Sequence, residues 1–190
     1  MKKFYVPFMV FTVLATLAIP LTASADNDRE QSNRLVLNLV GEAPMYERMV
    51  PDIDGDGNED PAICFDATLI NGKNRQRIGT ATDCLSNITP VGTGLGITAT
   101  TFFHLPQGNL IVRGGTSVQP VVLPTVTPGG HLITHITGAA STGNPIIEGT
   151  KRFQRTTGNV RLSGMVDMTH FAGKVGDPIF FDCLFIVDLD

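Results

Sequence analysis

Beyond residue 25 no stretch of this chain repeats its apolar residues at helical spacing. Short runs that are apolar, or that alternate apolar with polar, recur instead between Gly, Pro and Asn breakers, and Thr is abundant. Such runs form strands, because alternation at period two gives each strand one buried and one wetted face. The candidates are Arg34–Val40, Ile63–Ile70, Arg77–Cys84, Gly96–Leu105, Leu110–Val118, His131–Gly138, Pro145–Gly149, Val160–Met168 and Pro178–Val187. Leu105–Asn109 reads as a tight turn. Pro120–Gly130, with Pro120, Pro124 and Pro128, reads as a long loop because proline cannot donate to a ladder. The class is all-β and antiparallel, and this pattern leaves a closed barrel and a sandwich both open.

Two strands are apolar on both faces. Ile179–Val187 is one, and Gly96–Leu105, with Phe102 and Phe103 pointing to opposite sides, is the other. A curled sheet with an apolar lumen and a covered outer wall requires this, and so does a sandwich strand under a loop.

The first 25 residues are of a different kind. They hold 17 of roughly 80 apolar residues, leaving 63 of 165, about 38%, for the rest. Lys2 and Lys3 precede an apolar run from Phe4 to Ile19, and Ala23-Ser24-Ala25 stands directly before the polar run Asp26–Glu30. The run approaches membrane-spanning length, but its flanks are those of a cleaved export signal over residues 1–25. No cysteine precedes Cys64, which excludes a lipid-modified cysteine at the leader's end. After cleavage 18 acids face 12 bases, a net charge of −6. That balance argues against nucleic acid, and no membrane association is expected once the signal is gone. The expected location is periplasmic or extracellular.

Three cysteines in an exported chain suggest one disulfide and one leftover thiol. Folding a hairpin about position 74 sets Cys64 opposite Cys84, so these two are expected to pair. Cys183 is then either a reactive thiol or a buried inert one.

The most specific local motif is Asp52-Ile53-Asp54-Gly55-Asp56-Gly57-Asn58-Glu59-Asp60. The carboxylates of Asp52, Asp54, Asp56 and Asp60 converge if the chain turns sharply at Gly57. Clustered carboxylates repel, and a hard cation such as Ca²⁺ neutralises them. The spacing resembles extracellular calcium loops and departs from the helix-loop-helix hand: Ile63 replaces the bidentate Glu and Pro61 blocks a following helix. The expected role of the ion is structural, and a solvated Asp/Gly turn is the alternative.

Three stretches in order carry a resemblance. They are Phe65–Leu69 with Arg77-Ile78-Gly79-Thr80-Ala81, Thr100–Gly114, and Ile136-Thr137-Gly138 with Ile147–Phe153 and Gly158–Leu162. Together they resemble the allene oxide cyclase and dirigent protein superfamily over roughly residues 63–188. Glu148 and Lys151 stand where that pattern has glycines. The resemblance implies an eight-stranded antiparallel barrel, often trimeric, with an apolar lumen for a small hydrophobic molecule and chemistry that uses no cofactor. It divides the chain into the signal 1–25, a segment 26–61 carrying the acidic loop, and a barrel domain 62–190. Phe102, Phe103, Phe181 and Phe185 are the candidate ligand-binding side chains. Cys84 lies one residue short of the position of the cyclase cysteine, an offset that turns a strand side chain to the other face.

Polar side chains within apolar strands are the remaining candidates for chemistry. Asp66 and Asp182, with Asp167, are unfavourable there without partners, and His104, Arg113 and Arg161 could pair with them. The candidate catalytic set is therefore Asp66, Cys84, His104, Arg113 and Asp182, to be weighed against structural ion pairs. His131 and His135 lie about 13 Å apart along one strand, too far to share a metal. Neither a zinc spacing, a phosphate loop nor a nucleophile elbow is present. The expectation is an exported barrel that binds a small apolar ligand in its lumen, as a cofactor-free cyclase or a stereochemical guide. The rivals are a non-catalytic binding or interaction module and a calcium-stabilised structural protein of the envelope.

Overall fold

A computed structural model describes residues 33–140 and 143–190, so the signal expected over 1–25 lies outside the described residues. The strands are β1 (Arg34–Pro44), β2 (Tyr46–Val50), β3 (Asp60–Asn71), β4 (Arg77–Val91), β5 (Gly94–Leu105), β6 (Gly108–Val126), β7 (Leu132–Ala139), β8 (Asn144–Gly149), β9 (Gly158–Asp167) and β10 (Pro178–Leu189). A 3-10 turn, Lys151–Phe153, joins β8 to β9.

Antiparallel pairing runs β1–β10–β9–β7–β6–β5–β4–β3. β3 then pairs back onto β1, with Leu37–Val40 opposite Thr68–Asn71, and eight strands close a barrel. The sandwich is thereby set aside. β2 and β8 lie off this ring: β2 adds to β3, and β8 pairs with β6 and β9. Because β1 is one of the eight, the barrel takes strands from both sides of residue 62.

Alternation fills the interior. Ile179, Phe181, Cys183, Phe185 and Val187 of β10 face Leu37 and Leu39 of β1, Phe65 and Leu69 of β3, and Phe103 of β5. Phe65 packs on Phe181 at 5.2 Å between ring centroids, and Phe103 meets Phe185 edge-on at 5.3 Å. Each such ring stabilises the fold by about 1.5–3 kcal/mol through burial. Gly164 of β9 leaves the room Cys183 needs, since a Cβ there would lie 1.9 Å from its Sγ. The second apolar face of β10 is accounted for in part by His131, whose ring stacks on Phe180 at 4.1 Å on the outer wall.

One expectation needs correction, and one strand is additional to those the sequence pattern marks. The segment Pro120–Gly130 is in part strand, because β6 continues to Val126 and pairs Thr125 and Val126 with β7. Its prolines are accommodated because the ladder is interrupted between Pro120 and Thr125, so Pro124 is asked for no ladder bond. β2 was not anticipated: Tyr46-Glu47-Arg48-Met49-Val50 is short and carries two charges, and only its docking beside β3 makes it a strand.

Candidate functional site

Three places could carry function: the middle of the lumen, the outer wall beneath the acidic loop, and one mouth of the barrel.

In the lumen, Asp83 of β4 lies between Ala81 and Leu85 on the inward face and is 3% exposed. Burial pushes its carboxyl up to about 7, and the hydrogen bonds it accepts from the Thr101 hydroxyl (2.6 Å) and the Cys84 amide oppose this only in part. It forms no ion pair among the described residues. Thr116 of β6 also faces inward, and its Oγ1 has no hydrogen-bond partner. Both border a cavity of only about 20 Å³, walled by Phe65, Phe181, Met168 and Ile179, which is room for one water. Cys183 is buried, and desolvation with the nearby Asp83 pushes its thiol well above the ordinary range, so it is no ready thiolate.

On the outer wall, Cys64 and Cys84 face each other across β3 and β4 and form a disulfide. Val50, Ala62 and Phe102 pack around it as a second small core, with the Arg48 guanidinium 4.2 Å above the Phe102 ring. The acidic loop is clamped onto this core. Arg113 of β6 donates to the Pro51 carbonyl, to the Asp52 carbonyl (2.6 Å) and to Thr100 Oγ1 (2.9 Å). Carboxylate oxygens of Asp52, Asp54 and Asp60 lie within 4.8 Å of one another, whereas Asp56 is outside this group and accepts the Asn58 amide. Gly57 and Gly55 donate their amides to Asp52 and hold its carboxyl below the usual range. All-oxygen donors at this spacing suit a hard cation.

The third place is the mouth ringed by the β3–β4 and β5–β6 turns. It is a recess of about 300 Å³ with an apolar floor of Leu35, Leu37, Ile78, Leu105, Phe153 and Leu189. Arg34, Lys73 and Arg152 stand at its rim. The 3-10 turn is fastened to the β5–β6 turn by Arg152 N–H to the Gln107 carbonyl and Thr150 N–H to the Asn109 carbonyl. Phe153 thereby plugs the barrel end at 4% exposure. Gly149 permits the close packing, since a Cβ there would lie 2.0 Å from the Phe153 carbonyl oxygen.

The residues singled out from sequence are scattered among these places. Phe103, Phe181 and Phe185 face the lumen, while Phe102 belongs to the outer core. Asp66 is exposed on the outer wall, where it accepts from Tyr46 (3.0 Å) and Thr82 (2.7 Å). Asp182 accepts from Asn38 at 3.0 Å, half-buried on the outer wall. His104 is half-buried beside the inward Phe103 and Leu105, Arg113 is the loop clamp, and Cys84 is in the disulfide. The structure does not bring these five together. Sequence reasoning passed over Asp83, although its place between two apolar residues of one strand parity marks it as inward-facing. No family model matches the chain, and no curated protein matches it.

Proposed function

We propose that this chain is an exported, non-catalytic barrel that binds a small apolar ligand at the mouth lined by Leu35, Ile78 and Leu105. The observation that carries this reading is the contrast in room. The centre of the lumen is filled down to about 20 Å³, while the mouth keeps about 300 Å³ over an apolar floor, which is the lower bound of ordinary ligand sites. The two spaces have no lining residue in common, so a ligand at the mouth does not touch Asp83. That separation favours binding over a cyclase-like proton transfer. The Cys64–Cys84 disulfide fits an oxidising compartment and supports export. In this reading the acidic loop takes Ca²⁺ on Asp52, Asp54 and Asp60 as a structural ion.

The test is a fluorescence titration with the neutral probe N-phenyl-1-naphthylamine, comparing the wild-type chain with Ile78→Trp, which fills the recess. One saturable site lost in the variant is the expected result. Binding that survives the filled mouth would refute it.

A further inference from the structure

We infer that the ligand taken at this mouth is an anionic amphiphile: an apolar body that lies on Leu35, Ile78 and Leu105 and a carboxylate, sulfonate or phosphate head held at the rim. The inference rests on the mouth being the binding site and adds the charge of what enters it.

The argument begins with where the cations are. The chain is acidic overall, with 18 acids to 14 bases, yet its bases are not spread evenly. Of the 12 Lys and Arg after residue 25, seven belong to the strand ends and turns at this end of the barrel, and three of these, Arg34, Lys73 and Arg152, line the recess itself. Arg34 opens β1, Lys73, Arg75 and Arg77 lie in or beside the β3–β4 turn, and Lys151, Arg152 and Arg155 belong to the segment around the 3-10 turn. Most of this charge is not neutralised. Arg34 pairs with Asp188, which also takes Arg161 at 3.1 Å, and among the described residues no other ion pair forms. Lys73 and Arg152 thus stand at the recess with exposed, uncompensated charge.

The backbone adds a second observation. Among the described residues four non-glycine residues have left-handed φ, and three of them are cations of these two turns: Arg75 (58°), Lys151 (51°) and Arg155 (62°). The conformation is unfavourable for side chains other than Asn, Asp or Gly, yet it is fixed here by turn hydrogen bonds from Arg75 N–H to Asn71 and from Gln154 N–H to Lys151. An apolar floor alone would take a neutral molecule. Lys73 and Arg152 at the rim add attraction for an anionic head and repel a cationic one.

Two probes with the same aromatic body separate the possibilities: 1-anilinonaphthalene-8-sulfonate and the uncharged N-phenyl-1-naphthylamine. The sulfonate is expected to bind about tenfold more tightly at low salt and to lose most of that advantage in 1 M NaCl. The exposed double variant Lys73→Glu/Arg152→Glu should lose at least that tenfold for the sulfonate and keep the neutral probe unchanged. The retained neutral probe also serves as the check on folding. Equal affinities that the variant leaves alone would overturn the anionic head and leave the mouth as an apolar site. Failure of both probes would overturn the mouth itself. Displacement by free decanoate identifies a soluble amphiphile, the expected source; displacement by phosphatidylglycerol vesicles alone would overturn it in favour of a lipid surface.

Discussion

Asp83 and Asp52 are the same residue in opposite surroundings, one inside the barrel and one in the loop on its outer wall. Asp83 has a hydroxyl and one amide to bond and is cut off from bulk solvent, and its carboxyl rises to about 7. Asp52 has two glycine amides and open solvent, and its carboxyl falls below the ordinary range. Hydrogen bonds to a carboxylate therefore lower its pKa only where they are not asked to replace a whole hydration shell. The interior suits a neutral acid and the outer wall suits an ionised one.

The strongest way to break this contrast is the pH dependence of Asp83. Its folded pKa is raised, so between about pH 4 and 7 the folded state keeps a proton that the unfolded state has released. Stability from this group is complete below the unfolded value of 3.8 and is lost as pH rises through about 7, a difference of roughly 4 kcal/mol. Asp83→Asn should therefore match the wild-type protein in urea unfolding at pH 4 and exceed it by that order at pH 8. Equal midpoints at pH 8 would show that the carboxyl is solvated. Asp52 has the opposite slope: its contribution is present above its ordinary pKa and fades on acidification, so amide protection in residues 52–60, taken relative to the intrinsic exchange rate at each pH, should fall at low pH while that of the barrel interior rises.

Next in size is the disulfide beneath the loop. Replacing Cys64 and Cys84 by Ala reopens a 20-residue loop and should cost about 3 kcal/mol in the same unfolding assay. Arg113→Met should cost about 2 kcal/mol, since it removes charged donors from two carbonyls and a hydroxyl. If Arg113 acts as the clamp, this variant loosens residues 51–60 and leaves the Phe103–Phe185 core unaffected. Smallest is calcium: at ten times its dissociation constant the ion should add about 1.4 kcal/mol, seen as a raised melting temperature that chelator reverses and Asp54→Ala abolishes. A melting temperature indifferent to chelator would remove the ion from the account.

Much of the fold was legible. Alternation marks nine of the ten strands, and the symmetry of the hairpin about position 74 places Cys64 against Cys84. β2 escaped because its own sequence has no strand pattern beyond a few residues. The candidate site was less legible. Asp66 and Asp182 stood out as acids in apolar strands, yet both face outward, and the inward acid sat one position before the cysteine that drew the eye. The mouth could not be read at all, because Arg34, Lys73 and Arg152 are far apart along the chain and meet only when the barrel closes.

The sequence by itself determined the strands, the hairpin staple and the loop of aspartates, because each depends on residues close together in the chain. Only the tertiary structure decided which face of each strand is the lumen, how β1 bridges β10 and β3, and how much room is left inside. Closure depends on the register and tilt of strands more than a hundred residues apart, from Arg34 to Asp188, and no local pattern encodes it.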